Sequence, residues 1–248
     1  MRLWRRHWIF TWPSARQPKR VLSPNDDSMR HFTDFEKLLT PSEARLITGL
    51  TTPSRIQTFL DSIEYSEEER YRCPLTVLRD RKGHCFDGAL FGAAMLRRIG
   101  HPPLITDIVP NDNDDDHLLA LFRVRGHWGA VAKSNYSGLR FREPVYRTLR
   151  ELILSYFEDF FNAIGEKTMR AYTRPLNLTA FDRLGWMTND ETLDAIGERL
   201  DEIQKFKPLT AAMIRNLSFA DQRSVRAGLL GAKAAGLFKP AKRPHQSP

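Results

Sequence analysis

Phe86, Ala89, Leu90, Ala93, Leu96 and Ile99 recur at three- and four-residue steps, the spacing of one buried helical face, and predict a helix over 85–99. Gly100, with Pro102 and Pro103 behind it, stops that helix. Gly88, Gly92, Ala93 and Ala94 are small enough to imply a sheet packed very close to it. The period then changes: 104–109 and 117–124 read as strands separated by the polar loop 110–116. Upstream, residues 31–64 are helical in pattern, with Thr40-Pro41 and Thr52-Pro53 as cap-plus-proline starts. Downstream, Glu143-Pro144-Val145 is expected to open a helix whose apolar face runs from Val145 through Leu149, Leu152 and Tyr156 to Phe161. A short strand at 175–178, an amphipathic helix over 189–205 and one or two helices over 209–237 complete the pattern.

These elements predict an α+β fold, a small antiparallel sheet packed on a central Cys-bearing helix with helical N- and C-terminal additions. The division expected is a basic, disordered extension over 1–30, one α+β domain over 31–207, a C-terminal helical segment over 208–238 and a disordered basic tail over 239–248. The chain has 248 residues and a formal charge of +8, and the location of that charge changes its meaning. Residues 1–30 carry seven Arg/Lys against Asp26 and Asp27, and 232–248 carry four with no acid, which leaves 31–231 close to neutral. A folded basic face for specific nucleic-acid binding is therefore not expected. The run Glu67-Glu68-Glu69-Arg70 reads as a solvated connector. Residues 1–13 have a basic start but an apolar run too short for an export signal, and Met29 is an alternative start. No segment approaches the ~20 apolar residues of a membrane span. Two unrelated cysteines fit a reducing, cytoplasmic setting.

Cys85 is where the chemistry concentrates. In Gly83-His84-Cys85-Phe86-Asp87 a loop runs into the predicted helix, and a helix N-terminus favours the thiolate. The bland reading is a small buried hydrophobe. His117 opens a strand, where it can serve as the base of a Cys–His pair or simply cap the acidic loop before it. Asp114, Asp115 and Asp116 would raise its imidazole pKa, and as a calcium loop they lack the required glycine and glutamate. Arg140, Arg142, Arg147 and Arg150 either line a pocket or pair with nearby acids. No His/Cys cluster has zinc spacing.

Gly83-x-Cys85-x-Asp87-x-Ala89, the helix ending Leu96-Arg97-Arg98-Ile99-Gly100-His101-Pro102, His117 at a strand start, a Gly126 hairpin and Trp128 together resemble the transglutaminase-like cysteine superfamily over residues 75–136. The resemblance implies a papain-like core, a Cys–His–Asp/Asn site and acyl-thioester chemistry on an amide or peptide, hydrolysis or acyl transfer, with no cofactor or metal. The aspartate expected after the hairpin is absent, Ala132 standing near its place. If Arg125-Gly126 forms a two-residue turn, Ser134 shares the face of His117; a longer turn or a bulge places Asn135 opposite instead. Asn135 is chosen as the orienter because its carbonyl can fix an imidazole tautomer. The substrate expected is a peptide or small amide, with a protein partner for the C-terminal helices. The competing reading is a catalytically inactive member acting as a protein- or peptide-binding module.

Overall fold

The computed structural model describes residues 26–239; the expectations for 1–25 and 240–248 lie outside this range. Helices α1 (Asp26–Lys37), α2 (Pro41–Gly49) and α3 (Pro53–Ser62) precede the site, so α1 begins inside the stretch expected as a disordered extension. The two cap-plus-proline starts form as the sequence implies: the Thr40 hydroxyl accepts from the Glu43 N–H, and the Thr52 hydroxyl from the Arg55 N–H. Strand β1 (Glu64–Tyr65), helix α4 (Pro74–Asp80) and strand β2 (Lys82–Gly83) lead into α5 (Cys85–Arg98). β1 and β2 form a small parallel pair.

The main sheet is antiparallel. It contains β3 (Leu104–Val109), β4 (His117–Val124), β5 (His127–Val131), β6 (Arg142–Tyr146), β7 (Ala171–Thr173), β8 (Leu176–Asn177) and β9 (Lys205–Phe206). Their order is β6-β5-β4-β3-β7-β9, with β8 also on β3. Both faces are covered, and the period-2 alternation of β4 divides its side chains between two cores. Leu118, Ala120 and Phe122 pack with α3, α4 and α5, whereas Leu119 and Leu121 pack with Leu152, Ile153 and Tyr156. Helices α6 (Leu149–Leu154), α7 (Asp194–Glu202), α8 (Ala211–Arg215) and α9 (Gln222–Gly228) follow. No described helix is long and apolar enough to cross a membrane.

One predicted element is corrected. Residues 143–145 do not open a helix; they lie in β6, paired to β5 with Trp128 opposite Tyr146, and Val145 is exposed. The helix starts only after Thr148, whose hydroxyl accepts from the Glu151 N–H while the Glu151 carboxylate accepts from the Thr148 N–H. Pro144 is tolerated because β6 is an edge strand. Of the four arginines near it, Arg140 pairs with Asp61 and Arg142 with Asp159, while Arg150 donates to the Pro208 carbonyl.

The small residues of α5 do what the sequence implied. A Cβ on Gly88 would overlap Lys133, and one on Gly92 would stand 2.8 Å from Val131 Cγ2 and 3.0 Å from Ala120 Cβ, so only glycine lets the helix lie this close to β4 and β5. Gly88→Ala and Gly92→Ala are expected to lower unfolding free energy by about 1–3 kcal/mol, overpacking outweighing the better helix propensity of alanine. Urea denaturation midpoints check this.

Candidate functional site

Cys85 is the first residue of α5, and the segment before it is held by a buried charge network. Asp87, in the first turn, accepts from the His84 N–H at 3.2 Å and the Arg72 N–H at 2.8 Å. Burial pushes the Asp87 carboxyl up to about 7, against the opposing pull of these donors and of the Arg72 guanidinium. Arg72, 2% exposed, reaches Glu68, Asp80 and the Ser66 hydroxyl. Glu67 and Glu68 also pair with Lys82, and Glu67 with Lys233. The acidic connector is thus not merely solvated; it straps the loop before α4 to the start of α5.

The Cys85 sulfur lies 3.6 Å from the Asp116 carbonyl oxygen. The surrounding protein and the Asp116 carboxylate push its thiol up to about 12, although the neighbouring Leu118 N–H favours the thiolate. The expected helix-terminal thiolate is therefore corrected: the resting side chain is a neutral thiol. Cys73 is fully buried at the N-cap of α4, and burial raises it to about 11.

His117 is 4% exposed at the first position of β4. Its Nε2 lies 2.7 Å from the Leu139 carbonyl oxygen. A carbonyl can only accept, so Nε2 carries the proton and Nδ1 is the nitrogen able to receive one. Burial holds the imidazole down at about 4, which reverses the expectation that the preceding aspartates would raise it. Cys85 and His117 line one cavity of about 40 Å³, room for a water or two. No hydrogen bond joins the thiol to the ring among the described residues.

Val124 pairs with His127, and Arg125 and Gly126 take the left-handed conformations of a two-residue turn (φ 49° and 87°). That register leaves Ser134, not Asn135, in line with His117. The Ser134 hydroxyl accepts from the Tyr136 N–H. Asn135 lines the same cavity, but its amide donates to the Lys233 and Gly236 carbonyls and accepts from the Lys233 N–H. It holds the C-terminal segment and is not joined to the imidazole. The loop between β3 and β4 is organised by protein contacts: the Asn111 and Asn113 amides donate to Glu166, and the Thr168 hydroxyl to Asp114. Among the described residues no group of three or more His, Cys, Asp or Glu could hold a metal ion.

In front of Cys85 opens a cleft of about 670 Å³. Sequence reading missed three of the groups about the two cavities. Tyr65 lines both, and burial, then the nearby Cys85, raises its phenol so that it stays protonated. Leu139 acts through its carbonyl, which no residue identity announces. Asp107 counts in the sequence only as a strand position, although an acid inside the mainly apolar strand Leu104-Ile105-Thr106-Asp107-Ile108-Val109 is the signal that could find it.

No family model matches this sequence, and no curated protein matches it. Among solved structures, Legionella pneumophila LapG is similar at 12% identity and a TM-score of 0.37, over 70% of this chain and 97% of that one. A protein from Cytophaga hutchinsonii assigned provisionally as a cysteine protease is similar at 15% identity and a TM-score of 0.28, over 48% of this chain. This chain spans 40% of that structure's length.

Two expectations test the site. The His117 pKa is depressed in the folded state, so the unfolded chain takes up the proton first as pH falls. Stability is full above about 6.5 and is lost progressively towards pH 4 by up to roughly 3 kcal/mol. His117→Gln flattens this limb in urea unfolding run across that pH range. Asn135→Ala leaves the 233–236 backbone without its partners, and hydrogen-exchange mass spectrometry should show faster exchange there while α5 keeps its protection.

Proposed function

We propose that the chain is a cysteine-dependent enzyme of the transglutaminase-like kind, cleaving or transferring the acyl group of an amide or peptide, with Cys85 as nucleophile and His117 as proton carrier. The observation that carries this reading is the shared small cavity: a cysteine at a helix start and a histidine with one nitrogen anchored both line it, and the cysteine also lines the open cleft. With Nε2–H fixed on Leu139, Nδ1 takes the thiol proton, directly or through one water, as the sulfur attacks the carbonyl carbon. The imidazolium returns that proton to the leaving nitrogen, the C–N bond breaks and a thioester remains on Cys85. Water or an amine then attacks the thioester, with His117 again moving the proton.

A thiol raised to about 12 and an imidazole held at about 4 favour proton transfer during attack over a preformed ion pair. The Cys85 N–H, in the first helical position without an intrahelical acceptor, and the protonated Tyr65 phenol are the donors suited to the oxyanion. The Leu139 carbonyl fills the orienting role expected of Asn135. Catalysis therefore depends on Asn135 only through the C-terminal segment.

The second reading, a binding module without turnover, is favoured by one observation, the absence of a thiol–imidazole hydrogen bond. A short-chain acyl p-nitrophenyl ester separates the two. The enzyme reading expects a burst of about one p-nitrophenol per chain with an acyl adduct on Cys85, at least a hundredfold slower in His117→Ala and abolished in Cys85→Ala. No burst and no adduct, from a folded protein, leaves the binding module.

A further inference from the structure

We infer that the cleft in front of Cys85 takes a cationic substrate segment, a peptide bearing lysine or arginine side chains, and that Asp107 on its floor is a specificity-determining anion. This names the substrate class of the site proposed above and rests on that reading for what happens to the peptide once bound. Among the described residues lining the cleft there is no lysine or arginine. Glu69, Asp107, Asp115, Asp116, Asp194 and Glu198 line it, and no ion pair neutralises any of them within the described residues. Asp194 and Glu198 stand four apart on α7, a like-charge spacing that costs helix stability.

A row of acids alone would be an ordinary solvated surface. Asp107 is different. It is 5% exposed, and its buried Oδ1 has no hydrogen-bond partner, whereas buried carboxylate oxygens are nearly always satisfied. A donor supplied from the cleft would complete it, and a guanidinium or ammonium is the donor its surroundings select. Asp116 and Asp201 oppose the charge of this carboxylate, Lys205 and the His117 backbone N–H favour it, and the Cys85 thiol is nearby. Burial and Asp116 push Asp107 up to about 8, so a bound cation also displaces a proton, and affinity should rise with pH from 6 to 9. Tyr71, stacked on Phe86 at 4.3 Å, gives the cleft an aromatic wall for the alkyl stem and charge of such a side chain.

The test is fluorescence anisotropy of labelled tetralysine and tetraglutamate peptides on the full chain carrying Cys85→Ala, at low and physiological salt. Tetralysine should bind at least tenfold more tightly than tetraglutamate. Asp107→Asn, and separately Asp194→Asn with Glu198→Gln on the exposed wall, should each weaken it at least fivefold. A control pair away from the cleft, Glu36→Gln with Glu143→Gln, should change it less than twofold. Equal binding of the two peptides overturns the inference, as does a loss no greater in the cleft variants than in the control. Because binding is read without Cys85, its failure is distinct from failure of the ester burst, which reads the nucleophile.

Discussion

The close approach of α5 to the sheet at Gly88 and Gly92 is the constraint from which the site follows. Lys133 meets Gly88 from β5's exit and donates to the Leu60 and Ile63 carbonyls at the end of α3, where a cation suits the helix terminus. One side chain thus ties α3, α5 and the end of β5 together. With α5 fixed in this way, the first turn of the helix is carried past the end of β4, and the Cys85 sulfur comes to rest against the 116–118 backbone. His117 lines the small cavity beside Cys85 from the opposite core. Its alternation partners Leu119 and Leu121 face Tyr156 and Ile153, which is why its ring finds the Leu139 carbonyl and not the thiol.

Magnitudes decide the resting charge state. A helix terminus contributes about 0.3–1 kcal/mol towards an anion, less than one pK unit, whereas moving a thiol from 9 to about 12 corresponds to roughly 4 kcal/mol. The surroundings and Asp116 win over the macrodipole. The same logic applies to His117, where burial and then Arg142 hold the ring neutral against the Leu139 carbonyl, although Asp114, Asp115 and Asp116 line the same small cavity. On the catalytic reading proposed above, reactivity would depend on moving a proton at the moment of attack and not on a standing thiolate.

What the sequence made legible was periodic. The helix at 85–98, the strands at 104–109 and 117–124, and the dependence of register on the Arg125-Gly126 turn follow from spacing and from turn chemistry. Residues 143–145 misled because the apolar spacing of the true helix, Leu149, Leu152 and Ile153, was extended backwards through Val145, a residue exposed on an edge strand. The orienting acceptor for His117 was illegible in principle: a backbone carbonyl in a loop carries no side-chain signature. Asn135 was read for its chemistry without its partners, which lie almost a hundred residues away in the C-terminal segment.

A chain of net charge +8 can still present an acidic cleft because its basic excess lies in residues 1–30 and 232–248. Lys233 pairs with Glu64 and Glu67, and Gly236 packs on the Tyr65 ring while lining both cavities. The C-terminal segment thereby neutralises one rim, and Asp194 and Glu198 on α7, Asp115 and Asp116 before β4, and Asp107 are left without an ion pair among the described residues. A surface whose acids were merely solubilising would have no reason to bury one of them with its Oδ1 left unpartnered. On the reading proposed above, a cation held at Asp107 would bring the peptide that carries it into the cleft in front of Cys85.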